Sequence, residues 1–293
     1  MASAGLAGTA PSAQDSQNEH EAEAVLPDGE SAGRADPCWR FPTFSMSGGV
    51  DLLNAYFRRG YLIEEGGPIL QPFLTGSTVF TPTQNCSIRP YVTAWDSTNF
   101  RGPGETQQNV AEFMAGVFTT YGAATLDVNY GYYSRLPLDS FTSVNEVGAR
   151  IACDVLRPWQ APGQPCAWSL RPTAALYWEF MEFKKGGAGY AEAGIEPAFR
   201  IETREHRAGV TFPVLIGLGM DGYYANAHGS NATLGYISAG VSGSVALPAP
   251  PGFGQWYMNA SLLYLHLTAD NLKAINHGDA DALVGKIGIG FIF

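Results

Sequence analysis

From residue 44 to the end of the chain, apolar and polar side chains alternate in segments of ten residues or more, each closed by Gly, Pro, Asn or Asp. Strict alternation is the period of a β-strand with one face in an apolar medium, and clustered turn residues are its punctuation. The pattern predicts strands over 44–57, 69–80, 87–96, 110–121, 124–133, 143–156, 167–183, 189–201, 206–220, 232–247, 255–268 and 283–293, with no helical period between them. An even count, here twelve, lets an up-and-down barrel begin and end on the same side of a membrane.

The two faces are clearest late in the chain. Over 207–221, Ala208, Val210, Phe212, Val214, Ile216, Leu218 and Met220 oppose Arg207, Gly209, Thr211, Leu215, Gly217 and Asp221. Ala191, Ala193, Ile195 and Phe199 oppose Glu192, Glu196 and Arg200, and Val147, Ala149, Ile151 and Cys153 oppose Glu146, Arg150 and Asp154. Leu170, Ala174, Leu176, Trp178 and Phe180 oppose Arg171, Thr173, Tyr177 and Glu179, while Ile237, Ala239 and Val241 face the small residues Ser238, Gly240 and Ser242. In the last strand Leu283, Ile287, Ile289, Phe291 and Phe293 oppose Lys286. Strand 255–268 is ambiguous, because either phase places a polar residue outward.

Alternation does not say which face is inside. A soluble sandwich or lipocalin-like barrel points the apolar face inward. Three features favour the reverse. The strands exceed the ~5–6 residues usual in soluble sheets, and the apolar face carries few charges. Tyr56, Phe57, Tyr132, Tyr133, Trp178, Phe180, Trp256 and Tyr257 fall near strand ends, where an interfacial aromatic girdle lies.

Composition agrees. Of 293 residues 45% are hydrophobic and 12% aromatic, but only 15% are charged, against ~25% in ordinary soluble domains. No uninterrupted apolar run is long enough for a membrane-spanning helix. A closed barrel is the other way a chain satisfies its backbone in lipid. The expectation is an all-β, transmembrane, antiparallel up-and-down barrel of about twelve strands over 43–293, in the outer membrane of a Gram-negative-type envelope. With Phe293 on the periplasmic side, the turns at 122–123, 202–205 and 248–254 are periplasmic, and 58–68, 97–109, 221–231 and 269–282 form outer loops.

Residues 1–42 are rich in Ala, Ser, Gly and acidic side chains and have no periodicity, so they read as a disordered acidic arm. The opening MASAGLAGTAPSAQ lacks the basic and apolar regions of a signal peptide and resembles the small-residue tail of one. A net charge of −10 argues against nucleic acid as a partner, because binding it neutralises phosphates with Lys and Arg. The four cysteines, Cys38, Cys86, Cys153 and Cys166, have no zinc-like spacing. Cys153 and Cys166 flank a Pro-rich turn, which permits a disulfide in an oxidising compartment and equally permits two thiols.

The stretch SGGVDLLNAYFRRGYLIEEGGPILQPFLTGSTVF, 47–80, has an aromatic-rich first strand ending in Arg59-Gly60 and a second strand opened by Gln71-Pro72. It resembles the opening of the TorF-like porins and related outer-membrane proteins, and GYISAGVSGSVALP and LVGKIGIGFIF are similar to that group's closing strands. The resemblance implies an outer-membrane barrel of presumed channel function, with no substrate or catalytic residue attached. The terminal Phe293 also resembles the C-terminal signature by which the barrel assembly machinery recognises its clients.

The candidate lumen residues are Glu146, Arg150, Asp154, Arg171, Glu179, Glu192, Glu196, Arg200, Arg207 and Lys286. Neighbouring strands are ~4.8 Å apart, so opposite charges can pair across them. One reading is a charged constriction that selects small polar solutes; the other is an interior braced by ion pairs and closed, a structural or surface-interaction barrel. A twelve-stranded barrel lies between filled small barrels and open porins, so both stand. Arg58 and Arg59 fall in an outer loop, where they meet anionic headgroups or water. His228 and Ser230, two apart as in outer-membrane phospholipase and lipid A deacylase barrels, are a third candidate, an esterase acting on lipid or lipopolysaccharide, though no acid orients His228. No Walker loop, GxGxxG or HExxH occurs, so neither a cofactor nor a metal is expected. The expected partners are outer-membrane lipid, the assembly machinery and a small polar solute; the sequence sets no oligomeric state.

Overall fold

The computed structural model describes residues 43–293 apart from 84, 103–104, 136–141, 157–165, 182–186, 204–206, 221, 226–231 and 251. The acidic arm and the His228/Ser230 pair lie outside the described residues.

The first strand, β1 (Thr43–Leu53), is followed by a short hairpin of β2 (Tyr56–Arg58) and β3 (Tyr61–Glu64). Then come β4 (Ile69–Thr83), β5 (Cys86–Gly102), β6 (Glu105–Tyr121), β7 (Ala124–Arg135), β8 (Thr142–Cys153), β9 (Cys166–Met181) and β10 (Ala188–Glu202). The chain continues through β11 (Arg207–Thr211), β12 (Val214–Met220), β13 (Leu234–Leu247), β14 (Gln255–Leu267), a six-residue helix α1 (Asp270–Ile275) and β15 (Asp281–Ile292).

Each long strand pairs antiparallel with its sequence neighbours, and β1 pairs with β15, so the sheet closes on itself. Its thirteen strands make a barrel of twelve, because β11 and β12 are two halves of one strand. The register against β10 runs unbroken through the gap, Ala198 opposite Thr211 and Ile195 opposite Val214. Pro213 lacks the N–H that a ladder needs, which interrupts the hydrogen bonding without shifting the strand. The start of β1 and the end of the chain lie at one end of the barrel, where Met46 and Phe293 exchange backbone hydrogen bonds of 3.0 and 2.7 Å.

The polarity is inside out. Val92, Phe113, Val117, Ile151, Leu176, Phe212 and Ile287 stand exposed on the outer wall, whereas Glu146, Arg150, Glu179, Glu196 and Lys286 are buried around the axis. Ionised groups leave water only when paired, and large apolar side chains cover an outer surface only where the surroundings are apolar. This is a membrane-spanning barrel, and the twelve strands agree with the alternation of the sequence. In β14 the outward phase carries Met258, Leu262 and Tyr264, with His266 at the rim beside Asp281 (2.8 Å).

Four local expectations change. Segment 97–109 is mostly strand, because β5 and β6 run on as a paired ribbon to Gly102 and Glu105. The loop 269–282 contains α1, whose Leu272 is fully buried. Of the expected girdle, Trp178 and Phe180 face outward, but Tyr56, Phe57 and Tyr133 are buried inside. The largest change is at 58–68. It is no outer loop: it belongs to the β2–β3 hairpin, which folds back into the barrel.

Candidate functional site

The hairpin turns in two residues. Arg58 pairs with Tyr61, leaving Arg59 and Gly60 at the tip with φ of 47° and 87°. Positive φ at both central positions gives the tight turn that matches the twist of paired strands. Glycine adopts it freely, whereas an arginine is held there by its surroundings. A Cβ on Gly60 would come within 2.8 Å of both Leu272 and the Tyr236 ring, so only glycine lets the tip approach the wall this closely.

Both faces of the hairpin are packed. Phe57 and Tyr61 join Tyr177, Tyr190, Tyr223, Tyr224, Tyr236, Leu265, Leu267 and Leu272, a cluster built from β9, β10, β13, β14, the loop after β12 and α1. On the other side Tyr56 joins Ile69, Phe73, Trp95 and Val110 from β4, β5 and β6. Hydrogen bonds fix the frame. Tyr61 donates to the Tyr223 carbonyl at 2.7 Å, and Tyr224 donates to the Arg59 carbonyl at 2.9 Å. At the base, Ser97 donates to Glu64 at 3.0 Å, Asn99 donates to the Glu65 carbonyl at 2.8 Å, and His277 contacts the Glu65 carboxylate. Burial pushes the phenols of Tyr61, Tyr223 and Tyr224 up, so all three remain protonated donors.

The two tip arginines enter the charged part of the lumen. Arg59 Nη1 lies 2.5 Å from Glu146 and 3.2 Å from Glu179, and its guanidinium sits over the rings of Tyr177 (4.1 Å) and Tyr190 (4.5 Å). Arg58 lies over the Tyr133 ring at 3.2 Å and feels the charge of Glu112. Neither reaches a headgroup at the outer rim: both side chains are among the most buried in the protein.

The wall behind them has two levels. Deeper toward the end of the chain, opposite charges face each other across the strands: Asp127 opposite Arg150, and Arg171 opposite Glu196. Arg150 reaches past its neighbour to Glu196 at 2.9 Å and lies 3.9 Å from Glu192. Nearer the hairpin the arrangement inverts, for Glu146 on β8 stands directly opposite Glu179 on β9. Two carboxylates at such a position repel, and the cation between them comes from the hairpin, not the wall. Tyr133 and Tyr223 complete the set, donating to Glu146 at 3.2 Å and to Glu179 at 3.0 Å.

The remaining candidates fall elsewhere. Lys286 pairs with Asp51 at 2.9 Å across the seam between first and last strands. Arg200 stands exposed on the inward phase near the terminal mouth, and Arg207 reaches Gln255 at 3.5 Å. Asp154 does not line the lumen. Its carboxylate accepts from the backbone of Leu156 (3.1 Å) and Leu170 (3.3 Å), which makes it a turn cap at the end of β8. Cys153 and Cys166 are free thiols, not a disulfide. Ala152 is opposite Thr173, so Cys166 lies seven residues further along β9, over ~20 Å of strand and beyond disulfide reach.

Sequence reasoning missed Arg59 and Tyr190. The signal was present in the density of Tyr56, Phe57, Tyr61, Leu62 and Ile63 around the arginines, too apolar for a solvated loop. Beneath the hairpin tip, Glu192, Glu196, Tyr236 and Ser238 together with Leu215 and Leu263 line a cavity of about 50 Å³ of mixed polar and apolar character. On the outer wall a shallow apolar depression of about 910 Å³ runs over Gly243, Ala260 and Gly285, bounded by Leu52, Leu262 and Ile287.

Neither a family model nor a curated protein sequence matches the chain, so the likeness to TorF-like porins gains no support. Solved structures with a similar architecture do exist. The beta domain of the Bordetella autotransporter BrkA is 12% identical over 85% of this chain and 98% of its own, with a TM-score of 0.46. An outer membrane channel from Pseudomonas putida F1 is 8% identical over 90% and 100%, also with a TM-score of 0.46. LpxR from Salmonella typhimurium is 9% identical over 85% and 100%, with a TM-score of 0.49. These likenesses extend to the outer-membrane type of barrel and no further.

Proposed function

We propose that the protein is an outer-membrane channel for small polar solutes, held shut toward one mouth by its own β2–β3 hairpin. The observation that carries this reading is the division of labour inside the barrel. The wall is polar along its height, from Arg200 through Arg150 and Glu196 to Glu146 and Glu179, and one separable loop element fills the lumen toward the end opposite Phe293. A barrel that needs only to be solid fills its interior with wall side chains, as small barrels do. In the reading offered, the termini are periplasmic, the hairpin closes the outer mouth, and Phe293, half exposed beside the seam, is what the assembly machinery reads. The apolar depression on the outer wall receives lipid hydrocarbon. No chemical step belongs to this function.

Planar-bilayer recording on the refolded barrel tests it. The wild type is expected to show rare, small steps, and a variant lacking residues 55–65 sustained larger ones, both preparations first being shown heat-modifiable in detergent. If neither rises above lipid background, the channel is rejected. In that event the second reading, a non-conducting structural barrel, takes its place; the packing on both faces of the hairpin favours it.

A further inference from the structure

Two carboxylates and two tyrosine rings of the wall form a cage around the Arg59 guanidinium. The level of Glu146 and Glu179 holds three described carboxylates of the wall, the third being Glu112 on β6, whereas Glu192 on β10 lies deeper, 3.9 Å from Arg150. Among the described wall side chains at that level there is no Lys or Arg; the wall cations Arg150, Arg171 and Lys286 lie deeper or at the seam. Burying two carboxylates face to face is costly unless a cation lies between them. The cation present is a guanidinium, received in the manner expected of a guanidinium site: carboxylates within ion-pair distance of its nitrogens and aromatic faces beside it. Glu146 and Glu179 supply the first, and Tyr177 and Tyr190 the second. Every one of these four groups belongs to the wall strands β8, β9 and β10. The receptor therefore stays when the hairpin leaves, and only its occupant is removed.

We propose that this cage is a receptor for small organic cations bearing a guanidinium or primary ammonium group, with Arg59 as a tethered stand-in for the free ligand. Resting on the channel reading, this fixes the solute class as cationic: an entering cation competes with Arg59 for Glu146 and Glu179, and its binding stabilises the state in which the hairpin is withdrawn. A neutral sugar or an anion has no such competition to offer. The deeper pairs, Arg150 with Glu196 and Arg171 opposite Glu196, are already neutralised within the wall and do not discriminate in the same way.

The test is chemical rescue of an Arg59→Ala barrel by methylguanidinium in detergent, read as the temperature of the heat-modified gel shift. Loss of Arg59 lowers that temperature. Millimolar methylguanidinium is expected to restore several degrees of it saturably, as a ligand specific to the folded state does, while equimolar sodium chloride and the uncharged isostere urea do not. The response is expected to vanish in Arg59→Ala/Glu146→Gln/Glu179→Gln. Should Arg59→Ala fail to refold, refolding yield becomes the readout, with methylguanidinium expected to recover it. Equal effects of sodium and methylguanidinium, no effect of either, or a response that survives in the triple variant would each overturn the proposal. The two readings fail separately. A barrel that is rescued but never conducts retains the receptor and loses the channel; one that conducts without selective rescue retains the channel and loses the receptor.

Discussion

Lys286 and Asp51 close the barrel with one buried ion pair, and because each is on a different strand of the seam, neither has a substitute nearby on its own strand. Removing one partner leaves a buried charge, which costs about 3–5 kcal/mol, while removing both is far milder. Lys286→Met is therefore expected to lower the heat-modification temperature sharply, and Lys286→Met/Asp51→Asn to recover most of the loss. At the hairpin tip, Gly60→Ala combines a left-handed φ of 87° with contacts of 2.8 Å to Leu272 and Tyr236. The backbone conformation alone costs about 1–2 kcal/mol, so the seated hairpin is disfavoured about tenfold or more. Bilayer recording should show the open fraction rising accordingly; an unchanged open fraction would mean the tip does not gate. Among residues, the inward charges of β8 to β10 were legible because alternation assigns them a face. The partner of Glu146 and Glu179 was not, because it lies more than eighty residues away in a segment with no strand period of its own.

Elements differ in how plainly they declare themselves. The long strands follow from their period and turn residues, and even the proline gap in the ninth barrel strand leaves its register intact. The hairpin was hidden because β2 and β3, three and four residues long, are too short for a period to register. It merges in sequence with the end of β1, so Tyr56 and Phe57 read as girdle. What holds the hairpin is tertiary, and part of that hold can be loosened without touching a charge. Tyr224→Phe removes the donor to the Arg59 carbonyl but keeps the ring packing. A net hydrogen bond of about 1 kcal/mol corresponds to about a fivefold shift toward the withdrawn state. Step frequency in bilayers should rise by that order while heat-modifiability is retained; a frequency equal to wild type would place the latch elsewhere.

For the molecule as a whole, the governing fact is the inverted polarity, which the alternation suggests and the fold establishes through the burial of Glu196 and the exposure of Phe212 and Ile289. A cation placed on the outer wall tests it. Val147 sits near the middle of β8 and faces outward, where Val147→Arg is expected to cost about 2–4 kcal/mol in a bilayer. Folding into vesicles should fail or slow markedly, while a polar change on the inner face at the same height is tolerated. Equal tolerance of arginine on the outside would refute the membrane assignment. The hairpin adds a consequence for biogenesis. It grows from the strand whose pairing with the last one completes the ring, so its stopper is already attached when the cylinder forms. On the channel reading proposed above, a newly inserted copy is leakproof from its first moment, sparing the envelope an interval of uncontrolled permeability.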